Sequence, residues 1–311
     1  MIEPAAIMAP ATNLRVHELA IAVAVLYVTP RWRAPSIVWH VLENLALKIG
    51  YQAALQDLYG ALENWRIWSV FGWEDIRQRY RRSVLGPFWL TISTAILIGT
   101  IGFVFANLFG RPLDEFFPNL AVGLIVWTFI RQVIEGASDV FTSQERVIKQ
   151  VNLPLTTHVL RMIWQNLIIL GHNAVIIVAL WLWFGLWPGM AILQAVPGLI
   201  LLVLNGIWVV WLVAIICTRF RDVGPIVTSI MQMLFYFTPI LWLPDMMTER
   251  GVGFIVDYNP MAHLLTLVRM PLLGQEVPFA SWAVGIGLLA VGAPLAWYAM
   301  GRLRHRIAFW L

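Results

Sequence analysis

The sequence predicts an all-α polytopic membrane protein with six transmembrane helices, and three observations carry that prediction. Charged residues make up 12% of the chain and hydrophobic ones 60%, with a mean hydropathy of +0.76; soluble domains carry roughly 25% charged residues. Charge-free runs recur at lengths that suit bilayer crossings of about twenty residues. The 17 Trp and 16 Phe suit the interfacial belts where aromatic rings collect. The runs are too long for barrel strands and lack strict alternation, so helices, which satisfy their own backbone, are the spanning element. The net charge of +4 reads as topology rather than as a nucleic-acid footprint. A single cysteine, Cys217, excludes an internal disulfide framework.

Along the chain, Met1 to Ala34 reads as an extension or as a cleaved or mis-assigned start; its apolar stretch "ELAIAVAVLYV" is too short to span, and no A-x-A site follows it. From Ser36 to Ile76, Val38, Val41, Leu42, Leu45 and Ile49 recur at helical spacing with Glu43 and Lys48 off the stripe. That pattern suits an amphipathic helix on the membrane surface, against a partner, or packed on the protein's own loops. "DIRQRYRRSVLGPFWLTIS" then crowds Arg77, Arg79, Arg81 and Arg82 ahead of a run uncharged until Arg111. The spans follow near residues 88–109, 116–135, 159–184, 190–217, 224–243 and 279–300. The third and fourth come from one charge-free run, Met162 to Thr218, which "FGLWPGM" punctuates into a hairpin.

Orientation follows from the basic residues. One set of loops holds Arg77, Arg79, Arg81, Arg82, Arg146, Lys149, Arg161, Arg219, Arg221, Arg302, Arg304 and Arg306; the other holds Arg111, Arg250 and Arg269. Twelve against three places both termini in the cytoplasm.

Several chemistries are absent from the sequence. Lys48 follows Leu47 and Lys149 follows Ile148, so neither fits the phosphate-binding G-x-x-x-x-G-K-[ST] loop. There is no H-E-x-x-H, paired-cysteine metal site or G-x-S-x-G elbow, and no catalytic or metal residue is assigned. Arg131 and Glu135, four apart, share a helix face and suit pairing or snorkelling more than transport. His172, Asn173 and Asn205 suit interhelical hydrogen bonds.

"DIRQRYRRSVLGPFW", "KQVNLPL", "RFRDVGPIV", "FYFTPILW" and "NPMAHLLTLVRMPLLG" occur in that order at matching topological places. Together they resemble the type-2 ABC exporter permeases of the polysaccharide branch, which export O-antigen, capsule or teichoic acid. The resemblance covers about residues 61–311, the expected transmembrane domain, and leaves 1–60 as an N-terminal extension, partly an amphipathic helix. Two departures stand out: that extension is long for the family, and Glu74 occupies a position where an arginine is expected.

The resemblance implies a homodimer of six-span subunits in a bacterial inner membrane, driven by a separate ABC ATPase subunit. No cofactor is expected on this chain; ATP and Mg belong to the partner. Lipid-pyrophosphate admission would fall to Arg77, Arg79, Arg81, Arg82, Ser83 and Gly86, since guanidinium pairs with phosphate oxygens; topogenic anchoring explains the same cluster. ATPase coupling would fall to Glu74, Asp75, Glu145, Arg146, Lys149, Asn152 and Pro154, with Pro154 stopping a short helix, unless the loop is a solvated connector. Trp89, Phe103, Trp127, Trp164, Trp208, Phe235, Tyr236 and Trp242 are candidates for a lipid-linked glycan conduit, although packing and lipid belts use such residues too. Asn259, Pro260, His263 and Arg269 would belong to an outer gate in a re-entrant segment before span six.

Three other readings stand against export of a glycan. The nearest is an ABC exporter of a drug or lipid. A polytopic acyl- or glycosyltransferase would use His172 or Asp257, but no His–carboxylate constellation supports it. An ion-coupled carrier needs carboxylates near the midplane, and none is evident.

Overall fold

The computed structural model describes residues 51–81, 85, 86, 88–110, 112–248 and 251–311. Every regular element among them is helical. The stripe from Val38 to Ile49, together with Arg82, Ser83, Arg111 and Arg250, lies outside the described residues.

Residues 51–63 form α1, and after a break at Asn64 the chain continues as α2, Trp65–Arg79. Asn64 donates through Nδ2 to the Gly60 carbonyl (2.8 Å), so its side chain satisfies one acceptor at the break. Ala54 and Ala61 of α1 are fully buried, as small residues must be where backbones approach closely. Gly72 of α2 lies so near the Trp164 ring and the Arg161 carbonyl that an added Cβ would stand 3.0 and 3.1 Å from them.

Gly86, at φ +56°, makes the left-handed turn that glycine tolerates, and α3 begins at Phe88 and ends at Phe109. α4, Leu113–Gly136, is the buried centre of the bundle: it touches α3 and, further along the chain, α6 (Leu155–Phe184), α7 (Ile192–Arg219), α8 (Val223–Phe237) and α11 (Pro260–Leu272). Between α4 and α6 lies a short helix, α5 (Glu145–Gln150). α9 (Pro244–Thr248) and α10 (Phe254–Asp257) precede α11, and α12 (Phe279–Trp310) closes the chain. α12 packs along α7, where a Cβ on Gly292 would stand 2.2 Å from the Trp208 ring.

Among the described residues, five helices are long and apolar enough to cross a membrane: α3, α4, α6, α7 with its preceding turn, and α12. The fifth expected span, 224–243, is instead the 15-residue α8, about 22 Å at 1.5 Å per residue. It stops because Thr238 precedes Pro239, which pushes Thr238 into extended backbone (ψ 137°). The last span also differs, running past residue 300 to Trp310. No Gly or Pro follows Gly301 to break the helix. Its final turns reach α5 and bury Ile307 completely.

Polar groups inside the bundle follow the expectation in part. Asn205 donates across helices to the Gly285 carbonyl (3.1 Å), and its Oδ1 accepts from Trp208 Nε1 (2.9 Å). His172 instead bonds within its own helix, to Ile168 O (2.8 Å). The Asn173 amide oxygen is buried without a partner among the described residues. Arg131 pairs with Glu135 at 2.9 Å along α4, as their spacing suggests.

Candidate functional site

The chemistry of the described residues gathers at the two ends of the bundle. At the basic end, α2 presents Arg77, Arg79 and, just beyond it, Arg81 to solvent. Glu74, Arg77, Gln78 and Arg81 share one helical face and line a cavity of about 250 Å³, with Arg77 held 3.2 Å from Glu74. The cluster meets the chain where Gly86 turns it into α3 and Trp89 stands exposed.

The neighbouring loop is tied down more firmly than its sequence suggests. Asp75 and Arg161 form a two-bond fork, Nε to Oδ2 at 2.7 Å and Nη2 to Oδ1 at 2.5 Å. This is the geometry in which guanidinium and carboxylate bind best. Arg161 also donates to Gln144 (3.1 Å), in the turn that leads into α5. Within α5, Lys149 donates to Glu145 at 2.7 Å, and that hydrogen bond and charge hold the Glu145 carboxyl below the usual glutamate range. Arg146 and Asn152 are exposed. Pro154 does not stop this helix: α5 ends at Gln150 because Val151 is extended, and Pro154 stands immediately before α6. Behind α5 a cavity of about 500 Å³ opens between the ends of α4 and α7 and the start of α8, lined by Asp139, Glu145, Cys217 and Arg221 among others.

Sequence reasoning missed Asp57. Its side chain is fully buried, accepts the Leu155 and Thr156 amides and the Thr156 hydroxyl, and pairs with Arg304. One signal existed: α6 starts after Pro154, which has no side chain able to cap, so its first amides needed an acceptor from elsewhere.

At the other end, Asn259 joins α11 to the broken end of α8. Its Oδ1 caps α11 by accepting from the Met261 amide (2.9 Å), and Pro260 takes the first helical position. Its Nδ2 donates to Phe237 O (3.2 Å) and Thr238 Oγ1 (3.1 Å). His263 contacts Ser281 Oγ (3.1 Å) and Asp257 O (2.9 Å). Arg269 is buried, donates to Pro239 O (2.5 Å), and has no partner for Nε among the described residues.

The aromatic candidates separate into two groups. Trp127 is 2% exposed and packs on Phe235 at 6.0 Å between centroids. Trp164 meets Trp68 edge-on, Trp208 fills the space over Gly292, and Trp242 donates to Tyr236 O (3.2 Å). Trp89, Phe103 and Tyr236 are exposed on α3 and α8. Among the described residues, no group of three or more His, Cys, Asp or Glu could hold a metal ion.

These features define a multi-pass helical membrane protein with clusters of polar groups at both ends of its bundle. Residues 67–273 match the model of the ABC-2 type transporter family, and the chain belongs to that family. It is 25% identical over 244 residues to the O-antigen export system permease protein RfbA of Klebsiella pneumoniae, covering 76% of this chain and 91% of that one. The protein of the same name from Myxococcus xanthus is 22% identical over 234 residues, covering 75% and 89%.

Proposed function

We propose that this chain is the permease subunit of an ATP-driven exporter that moves a lipid-linked polysaccharide, O-antigen-like or capsule-like, outward across a bacterial inner membrane. The observation that carries this reading is the match along most of the chain to proteins named as O-antigen export permeases, within a transporter family. The missing phosphate-binding loop supports it, because the energy must then come from a second polypeptide. That partner is an ABC ATPase, present with its ATP and Mg in two copies against two copies of this chain.

In this reading residues 61–311 are the transmembrane domain, both termini are cytoplasmic, and α8 with the turn after it makes the fifth of six crossings. Arg77, Arg79, Arg81, Arg82, Ser83 and Gly86 admit the pyrophosphate headgroup. The α5 loop with Glu74 and Asp75 receives the ATPase. Trp89, Phe103 and Tyr236 line the path with rings that need no fixed hydrogen-bond geometry, and Asn259, Pro260, His263 and Arg269 hold a re-entrant outer gate. Trp127, Trp164 and Trp208 serve packing.

Purification with an ABC ATPase and reconstitution in proteoliposomes tests the proposal, using a fluorescent polyprenyl-pyrophosphate oligosaccharide as probe. ATP-dependent movement of the probe is expected. Movement or chemical modification of it by the lone chain without ATP would refute the reading.

A further inference from the structure

Both connections of α5 are fastened to the helices that precede the first span. On the leading side the tie runs from Gln144 through Arg161 to Asp75 of α2. On the trailing side it runs through Asp57 of α1, whose carboxylate has no solvent exposure. Asp57 Oδ1 accepts the Leu155 amide (2.9 Å), and Oδ2 accepts the Thr156 amide (2.9 Å) and hydroxyl (2.6 Å). Arg304 of α12 approaches Oδ1 at 3.0 Å and also donates to the Ala53 carbonyl of α1.

The physical sense of this arrangement is specific. A helix start leaves amides without acceptors and carries partial positive charge, so a carboxylate there is favoured. Here that carboxylate comes from a different helix, 98 residues away. A buried charge needs both hydrogen bonds and a counter-charge to be tolerated, and Arg304 supplies the latter. Gly60 adds close backbone approach: a Cβ there would stand 3.1 Å from Pro154 Cγ. The junction of α5 with α6 is therefore held against both α1 and α12. With only the leading tie, α5 could pivot on Gln144 and the extended residues after it would take up the motion.

We infer that Asp57, secured by Arg304, is a positioning residue that couples ATP hydrolysis on the partner to export, by making α1, the exit of the α5 loop, α6 and α12 move as one body. The inference rests on the export reading above and adds to it a residue pair at the trailing end of the loop. Its loss uncouples the machine and leaves hydrolysis running.

The test uses the whole complex with its ATPase in proteoliposomes and the same fluorescent probe. Arg304→Gln leaves the Asp57 cap in place and removes the counter-charge together with the guanidinium bond to the Ala53 carbonyl. It is expected to keep hydrolysis within about twofold of wild type while export per ATP falls about tenfold, within the usual range of coupling effects. Amide exchange across residues 151–156 should speed by about tenfold with the peptides of α4 unchanged. Arg304→Lys should restore at least half of the ratio. Asp57→Asn should act in the same direction, and if it fails to assemble the arginine variants decide alone. Hydrolysis and export falling in parallel, or neither changing, would overturn the inference and leave Asp57 a purely structural cap. A wild-type complex that hydrolyses ATP without moving the probe refutes the export reading instead; unchanged exchange in Arg304→Gln then overturns the clamp as well.

Discussion

Replacing Asn259 tests whether α11 is latched to the broken end of α8. The side chain does two separable things. Its oxygen caps α11 through the Met261 amide at 2.9 Å, and loss of such a cap costs about 1 kcal/mol. Its amide nitrogen supplies Phe237 O and Thr238 Oγ1 at 3.2 and 3.1 Å. Asn259 is 8% exposed and Thr238 fully buried, so water cannot readily replace those donors. An unsatisfied buried acceptor costs about 1–3 kcal/mol, and membrane interhelical bonds sit near the lower end of that range. Asn259→Ser retains a capping oxygen and loses the donors, so it should cost about 1 kcal/mol. Asn259→Ala loses both and should cost about 2–3 kcal/mol. Reversible unfolding in mixed micelles, followed by tryptophan fluorescence, gives the order wild type, Ser, Ala. If Ala and Ser unfold together, or Ala lies within about 0.5 kcal/mol of wild type, the two-part latch is wrong.

Gly292→Leu should destabilise the chain by about 1–3 kcal/mol or more in the same assay, because a side chain there collides with the Trp208 ring and disturbs its bond to Asn205; wild-type unfolding would show that α12 and α7 are not in close contact. Trp127→Ala should cost about 3–5 kcal/mol through the cavity it leaves in the core. Tyr236→Ala, on a side chain 60% exposed, should change stability by less than about 0.5 kcal/mol yet slow export; equal effects of the two on folding would undo the division between packing and lining aromatics. Glu145 should titrate below the usual glutamate range and return to it in Lys149→Met, as read by NMR of the labelled side chain. Because its pKa is lowered in the folded protein, the pair contributes above the ordinary glutamate range and is lost as pH falls through the lowered value.

Much of the bundle was legible because its signals are local. Span one begins after a Gly-containing turn and ends where its apolar run ends, and α3 has the predicted limits, Phe88 and Phe109. The fifth and sixth spans diverged for a shared reason. Charge-free length measures hydrocarbon, whereas helix length depends on backbone chemistry. Thr238–Pro239 ends α8 inside an apolar run, and α12 continues through Arg302 to Trp310 with nothing to stop it. In α5 the i, i+4 pair of Glu145 and Lys149 could be read directly. Arg161 and Arg304 could be read only as positive charge, because the carboxylates that give them geometry lie 86 and 247 residues away in sequence (161 − 75 and 304 − 57). Periodicity and spacing carry no information at that range.

The exposed faces of α3 and α8 both mix apolar and polar residues. α3 exposes Phe88, Trp89, Ile96, Leu97, Phe103, Val104 and Leu108 together with Ser93, Thr100 and Asn107, and α8 exposes Ile226, Ile230, Met233 and Phe237. α8 also exposes Thr228, Ser229, Gln232 and Tyr236 along a helix that otherwise reads as apolar. Thr228 and Ser229 satisfy their hydroxyls on their own helix, at Gly224 O and Pro225 O, as the Asn107 amide does on α3 at Phe103 O. This is also a lightly held helix: Met231 is its one buried residue, and it rests chiefly on α4, through Trp127 and Phe235. The Asn259 latch fixes one end of the same helix whose other end begins at the cavity behind α5, so the α5 loop and the start of α11 both border a helix that buries only Met231.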